Sequence, residues 1–357
     1  MAVSSETTIV KKFESAQDSL VIQSSDLSLE TIAQMVDSHA IDAAPHYQRR
    51  ERWKHQAQVE LIESFLLNVP VPPVYLAEDD FGTYSVIDGK QRITAIHGFL
   101  RNKFHLTKLP RFSEVNGLKF DDLPKSLKNA LSIRPYIRVI TLLKQTNPEL
   151  KYEVFTRLNT GGQPLLPQEI RNALYRGVFN DLLFDLAKDK FLRKQLKIKT
   201  EHESAFTEMT DVEIVLRFFS LQNQWKNFSG DSRRSMDDFM DKHRKPSASE
   251  LKTFKSHFER TLSRCQQLWG DDAFRRHTGS GFRDQFLAAM YDAQMIAVDG
   301  LSSAAFNKLL IQRSKIIAET KKLFKDKTFE EAVRVSTNTP SRVRYRIEKV
   351  IEMLHAI

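Results

Sequence analysis

The strongest constraint on this chain is a β-prone run, residues 84–87, that ends on Asp88-Gly89 and passes without a spacer into a helical pattern carrying Ile93, Ile96 and Leu100. A strand that turns directly into an amphipathic helix commits this part of the chain to a mixed α/β layer. Such a turn also gathers several backbone N–H groups at one helix start, which is an anion site by construction. Gly89 lets the backbone approach an anion closely. Arg92 can fork onto phosphate oxygens one turn in, and Lys90 adds a second positive charge. Asp88 can either cap the helix or hold a divalent cation that a triphosphate brings with it. Taken alone, the five residues from Asp88 to Arg92 read more readily as a capped turn closed by an Asp88–Arg92 ion pair.

The surrounding pattern fills in the layer. Ser28 is placed to cap a helix with the stripe Leu29, Ile32, Ala33, Val36, and residues 41–45 read as a short strand leaving it. A second helix uses Val59, Ile62 and Leu66, and Pro70, Pro72 and Pro73 end it. Residues 74–77 and 84–87 are expected to form a hairpin around the polar tip 78–82. Residues 136–142, rich in β-branched side chains, are a further strand. Pro148 can begin a helix through Tyr152 and Phe155 that stops at Asn159-Thr160-Gly161-Gly162. From Pro167 onward nearly everything reads as helix: 169–175, 178–187, 211–221, 250–268, 282–295, 301–323 and 341–354. The expected class is α+β, with a mixed domain over 20–145 and a mainly helical domain over 146–357.

Gly89-Lys90-Gln91-Arg92-Ile93-Thr94-Ala95 matches the GxxRxxA pattern of ParB-type nucleotide-binding domains. The wider series runs Tyr47-Gln48-Arg49, Trp53, Val71-Pro72-Pro73, Val86 to Arg92, Phe155-Thr156-Arg157-Leu158-Asn159-Thr160-Gly161-Gly162 and Glu169-Ile170-Arg171-Asn172-Ala173. In this order and spacing it resembles the N-terminal domain family of GmrSD-type modification-dependent restriction systems. The likeness weakens through residues 211–219 and 329–351. The resemblance implies a ParB/sulfiredoxin-like fold that binds, and in studied members hydrolyses, a nucleoside triphosphate with Mg2+ in defence against foreign DNA. It implies nucleotide contacts from Gln48, Arg49, Gly89, Lys90, Gln91 and Arg92. Asn159, Thr160, Gly161, Gly162, Arg171 and Asn172 belong to a second block, within residues 155–175, that closes over the nucleotide. Asp88 or Glu169 would orient a water or the metal, with Asp88 the metal ligand. The family turn usually reads Asp-Gly-Gln-Gln-Arg. Lys90 keeps donors but loses the amide acceptor, so hydrolysis is less secure than binding.

Simpler readings stand beside these. Arg49-Arg50-Glu51-Arg52 is also a plain charge run, Gly161 also a helix stop, and Trp53 reads better as a packing anchor than as a base platform. Cys265, the one cysteine, reads as a half-buried small hydrophobe. The net charge of +9 is uneven: residues 1–44 carry −5, leaving +14 on the rest. That surplus suits a polyanion, DNA or nucleotide. Arg342, Arg346 and Lys349 fall on one helix face, to meet phosphates or simply to be solvated. With no apolar leader pattern near Met1 and no run long enough to span a bilayer, the expectation is a cytoplasmic protein without membrane contact. Neither a GxxxxGK[ST] loop nor a HExxH or His/Cys cluster occurs, so any DNA-cutting centre is expected on a separate nuclease subunit. The leading expectation is therefore an NTP-hydrolysing subunit of a DNA-targeting defence system. A non-hydrolysing, nucleotide-gated DNA clamp or adaptor is the alternative, and a nuclease the weakest.

Overall fold

The structure, a computed structural model, describes residues 8–11, 13–14, 17, 20–42, 53–146, 148–158 and 166–357. The chain divides into two compact units between Leu174 and Tyr175.

The first unit is built on a five-stranded sheet in the order β1-β5-β3-β4-β2. Its strands are β1 (Ile22–Ser28), β2 (Ile41–Asp42), β3 (Val74–Asp80), β4 (Thr83–Asp88) and β5 (Tyr136–Leu142). Neighbours alternate between antiparallel (β1/β5, β3/β4) and parallel (β5/β3, β4/β2) pairing, so the sheet is mixed. The helices are α1 (Leu29–Asp37), α2 (His55–Leu66), α3 (Lys90–Leu100), α4 (Lys125–Ile133), α5 (Pro148–Leu158) and α6 (Pro167–Leu174). Ser28 caps α1 as its sequence position foretold, its Oγ accepting from Thr31 N at 3.2 Å. The stripes Leu29/Ile32/Ala33, Val59/Ile62/Phe65 and Ile93/Ile96/Phe99 join Val74, Leu76, Val86, Ile137 and Val139 in one core. Arg101 of the α3 C-terminus reaches Glu30 at 2.9 Å and Asp37 at 2.7 Å, and His97 reaches Asp37 at 2.8 Å, tying α3 to α1 across their exposed edge.

Ser85, Val86 and Ile87 are consecutive and all buried. Successive strand side chains point to opposite faces, so β4 is covered on both. Val86 meets the α1–α3 core, while Ser85 Oγ lies 3.3 Å from the Ala173 carbonyl of α6. α5 and α6 both contact β4 and fall in the first compact unit.

The second unit is helical: α7 (Val178–Leu186), α8 (Thr210–Gln222), α9 (Ser232–Lys242), α10 (Ala248–Trp269), α11 (Ala288–Asp299), α12 (Ser303–Ile311), α13 (Arg313–Leu323), α14 (Lys327–Arg334) and α15 (Pro340–His355). Two shorter helices, Lys190–Gln195 and Ser204–Thr207, lie between α7 and α8. Every residue from Ala289 to Val298 is buried, which makes α11 the central helix on which α8, α10 and α15 pack. A β-hairpin, β6 (Arg275–Thr278) and β7 (Gly281–Phe286), precedes α11. Residues 282–286 are therefore strand, not the start of a helix, because Gly281, at φ +146, turns the chain back on Thr278. Likewise 301–323 is two helices, broken at Gln312.

Arg346 is fully buried, not on an outward basic face. It donates to Asp292 of α11 at 2.6 Å, and Arg217 of α8 grips the same carboxylate with two bonds of 2.7 Å. Cys265 is fully buried rather than half-buried, its Sγ 3.7 Å from Met295 Sδ, and burial pushes its thiol pKa up.

Candidate functional site

β4 carries Asp88 to the sheet end where β3 begins, with Tyr75 opposite it in the register. Gly89 follows at φ +92 and ψ 12 as the N-cap of α3. A Cβ there would stand 2.7 Å from Val74 Cγ2 and 3.1 Å from Arg92 Nε, so both the backbone and the space demand glycine. Gly89, not Asp88, is the N-cap, so the cap position itself offers no side-chain bond. Asp88 Oδ2 instead accepts from Arg92 Nη2 at 2.5 Å, the ion pair that the simpler reading of the turn foresaw. Arg92 Nη2 also donates to the Pro73 carbonyl at 3.1 Å. Among the described residues, Arg92 Nε is buried without a hydrogen-bond partner. A buried N–H left unsatisfied costs about 1–3 kcal/mol, so such a group marks where a ligand or water oxygen belongs.

Gln91 and Lys90 complete the first turn of α3. Gln91 Oε1 accepts from Trp53 N at 3.1 Å, and the Trp53 carbonyl accepts from Gln58 Nε2 at 3.1 Å. Trp53 packs against the core, which is the anchor role expected of it. Gln91 thus fixes the entry to α2 as well as lining the turn.

α6 brings Glu169, Arg171 and Asn172 together, all buried. Glu169 Oε2 accepts from Leu166 N at 2.8 Å, closing back on the helix start in half of a capping box. Gln168 links its neighbours: its Nε2 donates to Asn172 Oδ1 at 2.9 Å and its Oε1 accepts from Arg171 Nη1 at 3.0 Å. The Ser85–Ala173 contact holds this helix to β4, the strand that ends in Asp88. Gln168 and the Pro73 carbonyl were not singled out from the sequence. The i, i+3 and i+4 spacing of Gln168 to Arg171 and Asn172 was a signal for the first, whereas nothing in a sequence marks a carbonyl oxygen. Gln48, Arg49, Asn159, Thr160, Gly161 and Gly162 lie outside the described residues.

Among the described residues no group of three or more His, Cys, Asp or Glu side chains could cage a metal. No helix among them is long and apolar enough to cross a membrane.

A mixed sheet whose interior strand β4 turns through a required glycine into a helix, with an arginine folded over that glycine, characterises this α/β domain. Residues 32–176 match the model of the GmrSD restriction endonuclease, N-terminal domain, and this stretch belongs to that domain family. Comparison with curated proteins and with solved structures gave no match.

Proposed function

We propose that the Asp88–Arg92 turn binds the phosphates of a nucleoside triphosphate with Mg2+, and that the chain is the nucleotide-hydrolysing subunit of a DNA-targeting restriction system. The observation that carries this reading is the buried Arg92 Nε, unsatisfied among the described residues and held close over Gly89. A phosphate oxygen satisfies the guanidinium, and the first-turn N–H groups of α3 add their dipole. Arg92, Gly89 and Lys90 bind phosphate in this reading, and Gln91 holds the turn to Trp53. Asp88, with side-chain exposure of 37%, is the carboxylate available to a metal ion. Mg2+ favours one or two protein carboxylates plus substrate phosphates over an all-protein cage, so a single acid is a sufficient protein share. When bound, the ion neutralises charge on the phosphate oxygens. Arg171 and Asn172, locked through Gln168, give α6 a fixed polar edge, and Glu169 is the second acid to test as a water-orienting group.

The Asp88–Arg92 pair favours a second reading, a nucleotide-gated DNA clamp that does not hydrolyse, since an acid held by arginine is drawn away from activating water. Phosphate release by purified protein separates the two: release that needs Mg2+ supports the hydrolase, and binding without release supports the clamp. DNA contact follows from the +14 charge beyond residue 44. Affinity for duplex DNA should fall steeply as salt rises, because cations released from several phosphates drive binding. Binding that is absent at about 50 mM salt, or indifferent to salt, contradicts the DNA role.

A further inference from the structure

At the same end of the sheet as Asp88 lies a groove of about 400 Å³, formed where α2 ends and where β3 and β5 begin. Phe65, Asn68, Val69, Pro73, Tyr136 and Arg138 line it. β5 is separated from β4 only by β3, and Tyr136 lies four residues along β5 from Ile140, the residue two strands across from Asp88, which puts Tyr136 roughly 16 Å from the Asp88–Gly89 turn. Pro73 connects the two places directly: it lines the groove, and its carbonyl accepts from Arg92 Nη2.

The lining is unusual for a surface facing only water. Tyr136 is 62% exposed and Val69 is 49% exposed, flanking a run of prolines. The Tyr136 hydroxyl and the Asn68 side-chain amide make no hydrogen bond among the described residues. Arg138 is oriented by a two-point bond to Asp26, at 2.9 and 3.0 Å, which fixes its guanidinium at the rim. A flat aromatic face, an apolar floor and one spare amide with both donor and acceptor are what a heteroaromatic base uses: stacking on its face and hydrogen bonds on its edge. The volume is within the range of small-ligand pockets.

We propose that this groove is the base and sugar subsite of the nucleotide whose phosphates rest on Gly89 and Arg92, with Tyr136 the stacking platform and Asn68 the edge reader. This rests on the phosphate reading of the Asp88–Arg92 turn and extends it to the organic half of the ligand. The test is a calorimetric titration of the full chain with each of the four ribonucleoside triphosphates and with inorganic tripolyphosphate, all with Mg2+. Tyr136→Ala should weaken nucleoside triphosphate binding about tenfold or more, the scale of a lost base stack, and leave tripolyphosphate affinity unchanged. Tyr136→Phe should keep the nucleotide affinity, and Asn68→Ala should reduce discrimination among the four bases. Arg92→Ala should lose both ligand types. If Tyr136→Ala binds nucleotides like wild type while Arg92→Ala loses both, the groove proposal falls and the phosphate reading stands. Equal loss of nucleotide and tripolyphosphate in Tyr136→Ala also overturns the proposal, because the groove would then only shape the turn. Wild-type protein that binds neither ligand overturns both.

Discussion

Asp292→Ala should destabilise the helical unit by about 3–5 kcal/mol, the cost of leaving buried charge uncompensated. Asp292 is wholly buried on α11, and it is the counter-charge to Arg217 of α8 and Arg346 of α15, so one carboxylate clamps three helices. Arg346 also donates to the carbonyls of Thr337 and Ala332, which draws the segment before α15 into the clamp. Burial alone would raise the Asp292 pKa. The Arg217 charge and hydrogen bonds, joined by Arg346, outweigh it and hold the carboxyl below its ordinary range. At Arg217, gripped by two bonds, attraction outweighs burial and raises its pKa; at Arg346, with one bond to Asp292, burial wins and lowers it. The sign for stability follows from Asp292. A carboxyl with a depressed folded pKa stabilises fully above its unfolded value of about 3.9, and that contribution is lost as pH falls below it toward the folded pKa. Denaturant unfolding followed from neutral pH to about pH 2 should show a larger acid-side loss in wild type than in Asp292→Ala, which keeps the loss due to the other paired carboxylates such as Asp299 and Glu330. Replacing all three residues by Met or Leu should restore much of the stability, since apolar groups need no counter-charge. If Asp292→Ala unfolds at the wild-type denaturant midpoint, the clamp carries no net stability.

Asp88→Asn should lower triphosphate hydrolysis by at least about a hundredfold, the scale for losing a positioned catalytic group or metal ligand. Asparagine keeps the shape and an acceptor for Arg92 Nη2, so the turn survives while the charge goes, and nucleotide binding should survive in part. Glu169→Gln is the informative companion. Glutamine can still accept from Leu166 N, so the start of α6 is kept and only the acid is removed. Normal hydrolysis in Glu169→Gln beside a dead Asp88→Asn assigns the acid work to the turn, with α6 closing the site. Wild-type rates in both variants would transfer the account to the non-hydrolysing clamp.

Much of the first unit was legible because its signals are local. The 136–142 strand, the hairpin that ends in Asp88, the Ser28 cap and the glycine turn each depend on neighbours in sequence. β1 gave no signal: Ile22–Ser28 is an edge strand with exposed side chains, so it lacks the alternation that marks half-buried strands. Residues 282–286 of β7 were read as the start of the helix that follows, and the decisive fact is how Gly281 bends the backbone. Arg346 looked outward-facing from its spacing to Arg342 and Lys349. Its partner Asp292 is 54 residues away, a distance that helical periodicity does not cover. At the site, the Asp88–Arg92 pair was foreseen, whereas the helix-closing role of Glu169 and the linking role of Gln168 depend on the path of residues 166–172.

The measurement that tests the central claim most directly is the melting temperature of wild type and Arg92→Ala with and without each nucleoside triphosphate and Mg2+. A ligand at about a hundred times its dissociation constant stabilises the native state by about 2.7 kcal/mol, which raises the melting point by several degrees. The account predicts that rise in wild type with at least one nucleotide, and no rise in an Arg92→Ala protein that melts cooperatively on its own. An equal rise in both proteins would contradict it.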